Sequence, residues 1–106
     1  MRITDLLKKN GIALNPSVNT KEEAINTLVD LMDVTGRLND KEAYKEAVLA
    51  RESLSTTGIG DNIAIPHAKT TAVKEAGLSA MVLTNGGGYD SLDGEPAKLF
   101  FMIGEP

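Results

Sequence analysis

The stretch KLFFMIG, Lys98 to Gly104, is apolar at odd and even positions alike. Successive side chains of a strand point to opposite faces. A run apolar on both parities therefore predicts a strand covered on both sides, within a sheet that carries helices. Two helices are predicted upstream of it. Thr20-Lys21-Glu22-Glu23 reads as a capping box, in which the Thr20 hydroxyl and the Glu23 carboxylate each take a backbone amide of the first turn. Ile25, Leu28, Val29 and Met32 follow at helical spacing, and Gly36 is a C-terminal stop. Asp40 caps a second helix that ends near Leu54, with Tyr44, Ala47, Val48 and Arg51 along one side.

Strand signals fill most of the rest. IALN, Ile12 to Asn15, reads as a short strand, and LSAMVLT, Leu78 to Thr84, as a longer one broken by Gly86 to Gly88. Asp93-Gly94 marks a turn. The segment from Asn62 has period two: Ile63, Ile65 and His67 share one face, and Asn62, Ala64 and Pro66 the other. With the isoleucines placed in the core, His67 points to the core side at the strand's end. The expected class is α/β (α+β): a mixed sheet flanked by helices, in one domain over residues 1–106. No helical pattern follows the apolar strand, so the sequence reads as incomplete at its C-terminus. The bare strand face is then expected to be buried by self-association, with a homodimer as the first form, or else to leave the chain marginally stable.

Composition excludes several function classes. The net charge of −4 is spread without long blocks and gives no footprint for nucleic acid or an anionic membrane. No apolar run approaches the roughly 20 residues that span a bilayer. Cysteine is absent and histidine occurs once, which excludes thiol chemistry, argues against a zinc site and fits a cytoplasmic chain. There is no Walker motif and no acidic metal cluster, so no cofactor is expected.

The chemistry converges on STTGIGDNIAIPHAKTTAV, Ser55 to Val73, which holds the lone histidine. Pro66 fixes its own φ and holds Ile65 extended, so His67 sits on a stiff support. Ser55, Thr56, Thr57 and Gly58 offer hydroxyls and accessible amides, a candidate anion nest. Arg51 closes the preceding helix beside that loop. A nucleophile, an anion cradle and a guanidinium suggest phosphoryl transfer with a phosphorylated protein as donor. Each piece also has a plainer role. A lone histidine is often structural, Arg51 favours a helix C-terminus by about 0.3–1 kcal/mol, and small polar residues cluster in ordinary loops.

Together these residues carry a resemblance. AVLARESLSTTGIGDNIAIPHAKTTAVKEAGL is similar to the signature of the enzyme IIA domains of the bacterial sugar phosphotransferase system (PTS), fructose/mannitol family. YDSLDGEPAKLFFMIGEP resembles the segment that leads into a central strand there. The resemblance implies a cytoplasmic phosphohistidine carrier. His67 would accept a phosphoryl group from an HPr-type phosphocarrier and pass it to a IIB component, working with a membrane IIC component. Arg51 would stabilise the phosphorylated state, and the candidate anion nest of Ser55, Thr56, Thr57 and Gly58 is the loop of the matching motif. The wording is nearest to fructose-type domains, and nitrogen-regulatory relatives share the motif. Two departures stand out. The loop has one more hydroxyl residue than the common form, and the family's C-terminal helical part, with its usual second histidine, has no counterpart here.

Overall fold

The computed structural model describes residues 2–87 and 92–106. In chain order the elements are α1 (Ile3–Leu6), β1 (Leu7–Leu14), α2 (Lys21–Val34), α3 (Lys41–Leu54), β2 (Gly58–Gly60), β3 (Ile63–Ala64), β4 (His67–Lys69), β5 (Gly77–Gly87) and β6 (Ala97–Glu105). The strands form one mixed sheet in the order β1-β5-β6-β3-β2, with β4 also on β6. β1 runs parallel to β5, β5 antiparallel to β6, and β3 and β4 both parallel to β6. The α/β class with a mixed sheet is as expected.

Local chemistry explains both long helices. The Thr20 hydroxyl accepts the Glu23 amide at 3.1 Å and the Glu23 carboxylate returns the bond to the Thr20 amide at 3.1 Å. At the other end Gly36 takes φ 79°, a left-handed conformation that favours glycine, and donates to Asp33 O. Asp40 caps α3 by accepting the Ala43 amide at 3.0 Å. Ile25, Leu28, Val29 and Met32 of α2 and Tyr44 and Val48 of α3 are buried against Met81, Leu83, Phe100 and Met102 of the sheet. Two polar ties fasten this layer: Ser79 Oγ donates to Leu28 O at 2.9 Å, and Tyr44 Oη donates to Ile103 O at 2.8 Å.

Several expectations are corrected. Cover on both faces of the apolar strand is not what β6 shows: Phe100, Met102 and Gly104 are buried beneath α2 and α3, whereas Leu99, Phe101 and Ile103 stay half-exposed. Both long helices pack on the same side, and all the helices among the described residues precede β2. The long central strand does not break at Gly86 but runs to Gly87, where it still pairs with Ala97. Gly88, the last glycine of that run, lies outside the described residues. The N-terminal strand begins at Leu7, five residues before the expected Ile12.

The segment around His67 is corrected in two ways. Its period of two holds, but the buried parity is Ala64, Pro66 and Ala68, while Ile63, Ile65 and His67 are half-buried on the opposite face. Small residues lie inward because α3 packs directly on this part of the sheet. Nor does the strand end at His67. β3 and β4 keep one register along β6, with Ile63 opposite Leu99 and His67 opposite Ile103. The ladder is interrupted between them, where Pro66 has no N–H to give.

Candidate functional site

The site is assembled from the end of α3, the loop after it, and the β3–β4 run. Arg51, Thr56, Thr57, Ile59, Ile65, His67 and Ile103 line an open cleft of about 280 Å³. A larger depression of about 440 Å³ meets it only at Ile103, and its lining holds no imidazole or hydroxyl. The half-exposed face of β6 thus leads, through Ile103, straight to the imidazole.

His67 is held from one side. Its Nδ1 lies 2.8 Å from Ile65 O. A carbonyl can only accept, so in the neutral ring Nδ1 carries the proton and Nε2 keeps its lone pair. Ile65 O belongs to the peptide bond before Pro66, which has no N–H to anchor it. Its flanking anchors are Ile65 N–H to Thr57 O at 3.0 Å and Ile103 N–H to Pro66 O at 3.1 Å.

Arg51 sits in the last turn of α3, and its Nη1 donates to Ser55 O at 2.9 Å and approaches Ser55 Oγ at 3.4 Å. The guanidinium therefore satisfies the helix C-terminus and lines the histidine cleft at once, so its two sequence readings are compatible. Four loop residues were candidates for binding phosphate. Thr56 and Thr57 line the cleft with His67, whereas Ser55 instead fastens Arg51 and Gly58 starts β2. Two of the loop amides are engaged within the chain: Gly58 N–H donates to Thr56 Oγ1 at 3.1 Å, and Thr57 N–H donates to Glu52 at 3.1 and 3.2 Å.

Glu52 belongs to the motif that carries the resemblance, but the sequence assigns it no role. Its side chain is only 5% exposed, pairs with Lys21 Nζ at 2.7 Å and also accepts the Thr57 hydroxyl. Burial alone would raise its pKa, yet the Lys21 ammonium and the Thr57 hydroxyl and amide together hold it below the ordinary carboxylate value. A signal was available: Tyr44, Val48 and Glu52 recur every fourth residue, which puts an acid on the apolar stripe. The turn Asp61-Asn62 was also overlooked. Both residues have positive φ, 55° and 64°, as a two-residue type I′ hairpin requires, and it folds β2 back on β3.

An imidazole and a guanidinium thus line one cleft beside a mixed sheet. The chain belongs to the family of the phosphoenolpyruvate-dependent sugar phosphotransferase system, EIIA 2, whose sequence pattern matches residues 5–106. It is 52% identical over 103 residues to the PTS system fructose-specific EIIABC component of Bacillus subtilis, covering 97% of this chain and 16% of that protein. Among solved structures it resembles nitrogen regulatory protein IIA-Ntr from Neisseria meningitidis, with TM-score 0.89 and 29% identity over 98% of this chain and 70% of that one. It also resembles the complex of enzyme IIAMTL with phosphorylated enzyme IIBMTL from Escherichia coli, with TM-score 0.81 and 28% identity over 94% and 72%.

Proposed function

We propose that residues 1–106 act as one phosphohistidine carrier in which Nε2 of His67 accepts a phosphoryl group from an HPr-type phosphocarrier. The observation that carries this reading is the Nδ1 contact with Ile65 O, which leaves Nε2 as the ring's lone-pair nitrogen in the cleft that Arg51 lines. In the transfer the P–N bond of the donor breaks and the P–Nε2 bond of His67 forms. Each ring keeps the proton on its other nitrogen, so no proton need move. Arg51 and Thr56 face the incoming phosphoryl oxygens, while Ser55, Thr57 and Gly58 shape the loop around them.

The group then passes to a IIB component, on cysteine in the fructose branch, which serves a membrane IIC component in sugar uptake from the cytoplasmic side. Likeness to the fructose-specific relative supports this branch. A second reading is a regulatory module whose His67 phosphorylation controls binding to a target protein, favoured by the close match to IIA-Ntr. Incubation with phosphoenolpyruvate, enzyme I and HPr should give one acid-labile phosphate, mapped by mass spectrometry to His67 and by NMR to Nε2. Drainage of that label by a fructose-type IIB supports uptake, and label that stays favours regulation. Phosphate on another residue, or on Nδ1, would overturn the site assignment.

Arg51→Ala should slow transfer roughly 10- to 150-fold, the scale of one hydrogen bond to a charged group. It should move the unfolding midpoint little, because a charge at a helix C-terminus contributes only about 0.3–1 kcal/mol. Arg51→Lys should rescue in part, since an ammonium lacks the planar fork. Normal transfer beside a large loss of stability would show that Arg51 is only a helix cap.

A further inference from the structure

We infer that Glu52 is a positioning residue of the phosphoryl-acceptor site: anchored by Lys21, it holds Thr57, and through Thr57 and the Ile65 peptide it keeps the His67 ring in its Nδ1–H form. The inference rests on the acceptor role given to His67 and names what sustains it.

The starting point is that a charge buried this deeply is unfavourable. Glu52 is the one buried carboxylate among the described residues. An apolar side chain of similar volume would pack against α2 without any desolvation penalty, so the ion pair contributes little to stability for its own sake. What the carboxylate does, and an apolar group could not, is fix a loop residue in two directions. It accepts both the amide and the hydroxyl of Thr57. With both donors held, the peptide before Thr57 and its side chain are fixed, which restrains the turn of the following peptide, whose carbonyl accepts Ile65 N–H at 3.0 Å. Ile65 O is in turn the partner of His67 Nδ1.

The chain of contacts runs Lys21, Glu52, Thr57, Ile65, His67, and each link is a hydrogen bond or ion pair. Its weak point is the peptide before Pro66. That peptide has no N–H, so its carbonyl keeps its direction only through its neighbours. If Thr57 is released, Ile65 loses its acceptor, the carbonyl can turn from Nδ1, and the imidazole is free to take the other tautomer. A ring protonated on Nε2 presents an N–H where a lone pair must attack. Lys21 is the first residue of α2, and α2 also packs under the sheet, so the site loop is tied to the helical layer and not merely to α3.

The test uses the full chain with nitrogen-15 labelled histidine. Two-bond nitrogen–proton spectra of neutral His67 read the tautomer directly, before any phosphoryl donor is added. Wild type should be mainly Nδ1–H. Glu52→Gln, which cannot pair with Lys21 or accept both Thr57 donors as well, should show a mixture. With phosphorylated HPr as the probe, its initial rate of phosphoryl uptake should fall about tenfold. Lys21→Met, at the half-exposed end of the pair, should shift both readouts in the same direction and covers the case in which Glu52→Gln does not fold. Lys21→Arg should recover most of what Lys21→Met loses. Rates are compared well below each variant's unfolding midpoint. A folded Glu52→Gln or Lys21→Met chain with the wild-type tautomer would overturn the inference, whatever its melting temperature. A wild-type chain that takes up no phosphate would sink the functional reading instead, and the tautomer spectra would still decide this one.

Discussion

A His67→Gln chain should take up no phosphate above background when incubated with phosphoenolpyruvate, enzyme I and HPr, while its circular dichroism and unfolding midpoint stay close to wild type. Glutamine keeps an amide able to bond Ile65 O, but it has no nucleophilic nitrogen. His67 is half-buried, and its ring is hydrogen-bonded to the backbone of its own segment. Loss of that bond should cost about 0.5–1.5 kcal/mol, too little to unfold the chain. Chemistry and stability are therefore separable at this position. Undiminished labelling of the variant would remove His67 from the reaction.

The largest effect on stability is expected at Phe100. Its ring is 1% exposed and sits on β6 beneath the helices, opposite Met81 on one neighbouring strand and Ala64 on another. Phe100→Ala should cost about 3–5 kcal/mol from lost transfer energy and the cavity left behind. At about 4–8 °C per kcal/mol for a domain of this size, the midpoint should fall by roughly 12–40 °C. Phe100→Leu should recover most of it. Thermal unfolding followed by circular dichroism checks both. A change of only a few degrees for the alanine variant would mean that the layer between sheet and helices collapses around the gap.

What was legible in the sequence was mostly local. The capping box at Thr20 and the cap at Asp40 were readable because their partners lie within the first turn of each helix. The stripes that follow them were readable because apolar spacing reports helix faces directly. The orientation of the His67 segment was not. A period of two separates Ile63, Ile65 and His67 from Ala64 and Pro66, but it does not say which set faces the helices. Residue size suggested the isoleucines, whereas close packing of α3 selected the small side. The His67 motif pointed to the candidate cleft, and Arg51 lies on the side of α3 where helical spacing put it, lining that cleft. Glu52 escaped because an acid among charged neighbours reads as solvated until Lys21, thirty-one residues earlier, is brought beside it. The Asp61-Asn62 hairpin escaped because the loop was read for the anion chemistry of its hydroxyls and not for the left-handed pair that ends it.

The place of β6 has a consequence for the order of assembly. Among the described residues it follows every other strand in the chain, yet it lies in the interior of the sheet, hydrogen-bonded to β5 on one side and to β3 and β4 on the other. During synthesis α2 and α3 emerge early, with Ile25, Leu28, Tyr44 and Val48 lacking Phe100 and Met102 to pack on. The His67 segment emerges early too, and its parallel partner is not yet made. Among the described strands, β1 with β5 and the β2–β3 hairpin are the ones that can pair before then, and the first of these is a parallel, non-local pairing that closes slowly. Until β6 is made the earlier elements are apolar faces awaiting one strand, and its arrival brings together the core and the cleft around His67 at the same moment.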